Sequence, residues 1–159
     1  MKTTKLFSIL LIVGGLLFLS NSTANAQANG NGGNLGLGVM VGEPTGISLK
    51  SWNNDRSAFA FGAAWSFGRY DALHLHGDYL LHNWFSEVED GALAFYYGIG
   101  VRFLITEPDA RVGIRIPFGL NYVIPDSRVD LFLEAVPILD LAPSTDFEGN
   151  GALGIRYYF

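Results

Sequence analysis

The chain contains no cysteine. That excludes a disulfide framework, a cysteine-ligated metal centre, a thiol nucleophile and a lipid attached at an N-terminal cysteine. Charge is scarce too: 16% of the 159 residues are charged, against about 25% in an ordinary soluble domain. Positive charge is the scarcer sign, with ten Lys and Arg against fifteen Asp and Glu. The resulting net charge of −5 offers no basic face, so no nucleic-acid partner is expected. Beyond residue 26 no apolar run approaches the about 20 residues that a membrane-spanning helix needs. Yet 49% of the residues are hydrophobic and 14% aromatic, and the mean hydropathy is +0.25. A chain this apolar is not disordered. The apolar residues must therefore be arranged in some way other than a long run.

The N-terminus is set apart from the rest. Lys2 and Lys5 precede an uncharged, mostly apolar stretch from Leu6 to Leu19, and small polar residues follow to Ala24-Asn25-Ala26. A basic start, a short apolar centre and an Ala-x-Ala site describe a secretory signal peptide. The apolar centre is shorter than the about 20 residues of a bilayer-spanning helix. The expected organisation is a signal peptide at 1–26, a flexible Gly- and Asn-rich leader at 27–34, and a single domain from 35 to 159. Loss of Lys2 and Lys5 makes the exported chain still more acidic.

Within 35–159 the apolar residues alternate. Leu93, Phe95, Tyr97, Ile99, Val101 and Phe103 are separated by Ala94, Tyr96, Gly98, Gly100 and Arg102. In a strand such neighbours point to opposite faces. The same period of two recurs near 35–42, 47–50, 59–67, 73–82, 112–122, 129–139 and 153–159, which makes eight candidate strands. The large apolar phase carries no charge. The other phase carries Lys50, Asp78, Arg102, Arg115, Asp130, Glu134 and Arg156, with Asp140 at a strand end, and all three histidines. Turn residues such as Glu43-Pro44, Asn53-Asn54-Asp55 and Pro125-Asp126-Ser127 separate the strands.

Which phase faces outward decides the class. The second phase is mostly Gly, Ala and Ser, too small and too apolar for a solvated surface. Small residues suit the interior of a narrow barrel, and large apolar ones suit lipid. Aromatics near strand ends (Trp52, Trp65, Phe67, Trp84, Tyr122, Tyr157 and Phe159) are where interfacial girdles belong. A spanning strand takes about 10 residues, so eight strands fit the length and twelve leave nothing for turns. The expected fold is all-β: an eight-stranded antiparallel up-and-down transmembrane β-barrel.

The terminal Leu153-x-Ile155-x-Tyr157-x-Phe159 resembles the last-strand signature of bacterial outer-membrane barrels. The whole exported chain is similar in size and strand number to the small barrels of the OmpA/OmpX type. Gly42-Glu43-Pro44-Thr45-Gly46, with Lys50 and Trp52, and His74-x-His76-x-Asp78-Tyr79-Leu80-x-His82 resemble a narrower family of small outer-membrane barrels to which no activity attaches. The resemblance implies outer-membrane location in a Gram-negative-type bacterium, lipid as surroundings, and delivery by periplasmic chaperones to the barrel-assembly machinery. A monomer without cofactor is expected.

The interior offers several readings. Buried charges must pair, so the lumen charges are expected to form a plug of ion pairs. His74, His76, Asp78 and His82 share one face of one strand and form a polar or metal-binding cluster in the making. A narrow pore is an alternative. So is a lipid-modifying enzyme, which needs a hydroxyl nucleophile, a His base and an acid. Ser66 and Ser86 are the nearest strand-end serines, and neither makes a His-x-Ser pair on the lipid face, so no catalytic residue is assigned. The outward connections, at Glu43 to Thr45, Gly68 to Asp71, Leu104 to Arg111 and Leu141 to Asn150, are short and acidic, which leaves surface binding without a specific feature. Pro117 lies within a strand, where it cannot donate to the ladder, so a bulge or bend is expected there. Pro137 is expected near a strand end.

Overall fold

A computed structural model describes residues 33–66, 72–106 and 109–159. The signal peptide, most of the leader, and Phe67 of the expected girdle lie outside the described residues. The strands are β1 (Leu35–Gly42), β2 (Gly46–Trp52), β3 (Ser57–Ser66), β4 (Ala72–Trp84), β5 (Ala92–Thr106), β6 (Ala110–Arg115), β7 (Phe118–Val123), β8 (Val129–Ala142) and β9 (Asp146–Tyr158). Apart from β6 and β7, neighbours along the chain pair antiparallel, and β9 returns to pair with β1 from Gly36↔Tyr158 to Gly42↔Ala152. The sheet therefore closes on itself. Among the described residues no helix is long and apolar enough to cross a membrane.

Nine segments make an eight-stranded ring because β6 and β7 are two halves of one ring strand. Both pair with β5 in one continuous register, Gly100↔Arg115 and Tyr97↔Phe118. Both likewise pair with β8, Arg115↔Ile138 and Phe118↔Ala135. The residues between them, Ile116 and Pro117, stay in the ladder. Gly98 N–H donates to the Pro117 carbonyl at 2.8 Å, and Ile116 N–H donates to the Pro137 carbonyl at 3.0 Å. The expectation for Pro117 is thus corrected in part. The strand is interrupted there, but the register does not shift, because proline loses a donor and keeps its acceptor. The register shift falls instead between Val112 and Gly113, opposite Ala142 and Asp140, with Leu141 as the extra residue. Pro137 lies well inside β8 and not near its end.

Alternation decides which side chains face outward from the ring and which meet one another. The large apolar phase is exposed along every ring strand: Val41 is 65% exposed, Ile99 61%, Leu153 59% and Leu133 56%. The opposite phase is buried, including Lys50, Arg102, Arg115, Asp130 and Arg156. A water-soluble domain does the reverse, keeping charge outside and Leu, Ile and Phe within.

At one end of the ring lie the turns 43–45 and 143–145, the end of β3, the start of β4, the end of β5 and the start of β6. At the other lie 53–56, 85–91, 124–128 and both ends of the barrel domain. The first turn has a local reason. Gly42 sits at φ +139°, where a side chain is strained, and Thr45 Oγ1 accepts from Gly42 N–H and donates to the Gly42 carbonyl. Two connections are shorter than the sequence suggests. Strand β9 already starts at Asp146, so Pro143 to Asn150 is not a loop, and β5 and β6 together leave only 107–109 between them. Glu148 is drawn into the ladder by two arginines, described below. Trp52 is a second correction. It belongs to no girdle but is buried inside the ring, stacked against Trp84 with ring centres 5.9 Å apart.

Candidate functional site

The lumen holds the polar chemistry, and the strand register decides which charges meet. Near the end where β1 starts and β9 finishes, Asp130 is a hub. Arg156 Nε donates to its Oδ1 at 3.0 Å, Tyr158 OH to its Oδ2 at 2.7 Å, and Asn121 Nδ2 to the same oxygen at 3.0 Å. Lys50 Nζ lies 3.9 Å from Asp130 Oδ2. The ammonium also donates to Asn121 Oδ1, sits 2.9 Å from His82 Nε2, and lies 4.1 Å from the centre of the Trp52 ring. Each neighbour offsets some of the cost of removing Lys50 from water.

In the middle of the barrel Arg115 bridges two carboxylates. Its Nε donates to Asp78 Oδ1 at 2.9 Å, and Nη2 donates to Glu134 Oε1 at 3.2 Å. Tyr96 OH donates to Glu134 Oε2 at 2.9 Å. An apolar layer of Met40, Leu80, Phe132 and several alanines packs against Tyr96, and the Arg156 guanidinium lies 4.0 Å from the centre of the Phe132 ring. The lumen therefore carries hydrocarbon side chains as well as charged ones.

Toward the opposite end Arg102 binds Asp140 through two nitrogens, at 2.9 and 2.5 Å, and Glu148 at 2.7 Å. Arg111 Nη1 donates to Glu148 Oε1 at 2.9 Å and lies 3.8 Å from Asp140. Above this group a mouth pocket of about 580 Å³ is lined by Glu43, Thr45, His74, Arg102, Glu148 and Asn150, among others.

The glycines of the inner phase make room for these side chains. A Cβ on Gly62 would lie 2.1 Å from the His76 ring, one on Gly100 1.9 Å from Asp78 Oδ1, and one on Gly113 2.4 Å from Asp140 Oδ1. Gly100 has a second constraint: the backbone oxygen of Gly77 is 2.4 Å from the same point. We expect Gly100→Ala to destabilise the folded barrel by about 1–3 kcal/mol, the usual cost of overpacking a filled interior. Urea titration of the micelle-refolded protein, followed by Trp fluorescence, checks this; an unchanged midpoint contradicts it.

The structure divides the sequence-derived sites. Lys50, Asp78, Arg102, Arg115, Asp130, Glu134 and Arg156 all point inward and all have a partner of opposite charge. The His74, His76, Asp78 and His82 set is drawn apart. His82 faces the Lys50 ammonium, Asp78 turns to Arg115, and His76 Nε2 is 3.9 Å from Asp78, beyond hydrogen-bond reach. His74 and His76 pack edge to face, ring centres 5.6 Å apart. Among the described residues no three His, Asp or Glu side chains converge as metal ligands. Leu153, Ile155, Tyr157 and Phe159 all lie on the exposed face of the last strand or its end.

Five participants escape the sequence reading. Tyr96, Asn121 and Tyr158 share the inner phase and were legible as members of it, although their partners were not. Arg111 and Glu148 sit in stretches whose composition reads as loop, and no sequence signal marks Glu148 as a strand residue.

No protein-family model matches the chain, and no curated protein matches it. The narrower family suggested by the Gly42–Gly46 and His76–Leu80 motifs therefore gains nothing beyond the motifs themselves. In fold the chain is similar to a solved structure, the N-terminal β-barrel domain of Pseudomonas aeruginosa OprF, with a TM-score of 0.58 and 14% sequence identity over 81% of this chain and 100% of that one. The likeness is one of fold.

Proposed function

We propose that this chain is an outer-membrane β-barrel with a structural or envelope-associated role, exported through its signal peptide, and that its lumen is closed. The observation that carries the reading is the inverted distribution of polarity. Large apolar side chains cover the outside of a closed ring, and the charged groups are buried within it. Closure leaves no unpaired strand edge, which is what lipid demands of a β-structure. Three groups of ion pairs and an apolar layer stand across the lumen. An eight-stranded ring is about wide enough for its own side chains and no more. Chaperone delivery, insertion by the barrel-assembly machinery and a monomeric state belong to the same reading. No lipid-modifying activity is part of it.

Cell fractionation with gel mobility before and after boiling tests the location and fold. The expected result is recovery in the outer membrane and a mobility shift on heating; recovery in the periplasm without a shift overturns it. Liposome swelling tests the closed lumen, with no sugar uptake expected above empty vesicles. Mass spectrometry of lipid A with and without the protein should show the same acyl pattern. Deletion of Phe159 should lower outer-membrane levels several-fold while leaving signal-peptide cleavage unchanged, and equal levels would count against a role for the last strand in assembly.

A further inference from the structure

The ring is not uniformly zipped. In an antiparallel pair, alternate rungs exchange two N–H···O bonds. At the rung Gly98↔Pro117 only Gly98 N–H donates, and at the rung Ile116↔Pro137 only Ile116 N–H donates. The return bond is chemically impossible at both, because the facing residue is a proline. The two prolines thus remove one bond from each edge of the same ring strand, at adjacent positions. A second defect follows on the β8 side alone. The register shift between Val112 and Gly113 leaves Gly113↔Asp140, Ile114↔Leu139 and Arg115↔Ile138 as the regular rungs between shift and proline. The seam where the ring closes, β1 to β9, keeps one register over seven rungs.

We infer that the β6–β8 seam is a built-in point of parting, the stretch of barrel wall that opens first while the other seams hold. The outer surface there is Ile114, Ile116 and Leu139, with no charged side chain to bridge the strands across the outside. Behind it the cross-ties are unequal. Arg115 reaches Glu134 on β8 at 3.2 Å, and Arg111 lies 3.8 Å from Asp140, whereas the shorter bonds of both carboxylates' partners run to other strands: Arg115 to Asp78 on β4 and Arg111 to Glu148 on β9. An opening at this seam costs fewer ladder bonds than an equal opening along β1–β9 and connects the part of the lumen that holds Arg102 and Asp140 to the side of the barrel.

Hydrogen exchange on the unmodified protein refolded in micelles tests the inference. The amides of Ile114, Leu139 and Leu141 are expected to exchange about tenfold or more faster than those of Val39, Leu153 and Ile155, since local opening is cheapest where least is bonded. Equal or slower exchange at the β6–β8 seam overturns it. The absence of native cysteine allows a second measurement. A disulfide between Ile114→Cys and Leu139→Cys should raise the temperature of the gel-mobility shift by several degrees more than one between Val39→Cys and Ile155→Cys. A larger rise for the β1–β9 pair would count against the inference.

Discussion

Asp130→Asn is expected to destabilise the barrel by about 3–5 kcal/mol, the range found when one member of a buried ion pair is removed. Asp130 is fully buried and faces two cations, Arg156 at 3.0 Å and Lys50 at 3.9 Å. It also accepts from Tyr158 and Asn121. Removing its charge leaves two buried cations with one counter-charge fewer. Asparagine keeps the volume, so the loss reads charge and not a cavity. The physical asymmetry supplies a control. Replacing the cations together with Asp130 by apolar residues of similar size, as in the triple variant Lys50→Met, Asp130→Leu, Arg156→Met, removes both the attraction and the desolvation cost, and should recover most of the loss. Urea midpoints of the refolded protein in micelles report both. A single variant within about 0.5 kcal/mol of the parent, the usual span of harmless surface changes, would mean that Asp130 holds nothing together.

The second large effect concerns the outside. Ile99 is in the middle of β5 and 61% exposed. Ile99→Arg at such a place on a soluble protein changes stability by about 0.5 kcal/mol or less. At the midplane of a membrane barrel it costs about 2–4 kcal/mol, falling toward 0–1 near the interfaces. Val41 is equally exposed but is the last residue but one of β1. The expected result in lipid vesicles is therefore a large loss for Ile99→Arg and a small one for Val41→Arg. Equal small losses would remove the membrane from the proposed function while leaving the fold untouched. The depth dependence makes the pair informative, because a merely damaging substitution has no reason to know where the bilayer centre lies.

Both predictions rest on features of unequal legibility. The barrel itself was readable because a strand's period of two is a local property. Six alternating residues such as Leu93 to Phe103 reveal two faces without reference to any other strand, and repetition at turn-separated intervals supplies the strand number. The same rule places Lys50, Asp130 and Arg156 on the inner phase. It goes wrong where local pattern is weak. Pro143 to Asn150 reads as a loop because its residues are polar and glycine-rich, yet Glu148 is held in β9 by Arg102 and Arg111, two residues about 40 positions away. Trp52 reads as a girdle residue by position, yet its ring covers the Lys50 ammonium and stacks on Trp84.

What the sequence determined by itself is the sidedness of the wall and the number of its strands, since backbone geometry imposes alternation on every strand before any tertiary contact exists. What only the tertiary structure decided is partnership. Whether Arg115 meets Asp78 or Asp130, whether His82 joins a histidine cluster or Lys50, and whether the register shifts at Pro117 or at Val112, all depend on how the strands pair. Register is set by how eight tilted strands close into one ring, and that closure condition couples residues at opposite ends of the chain. No window of the sequence contains it.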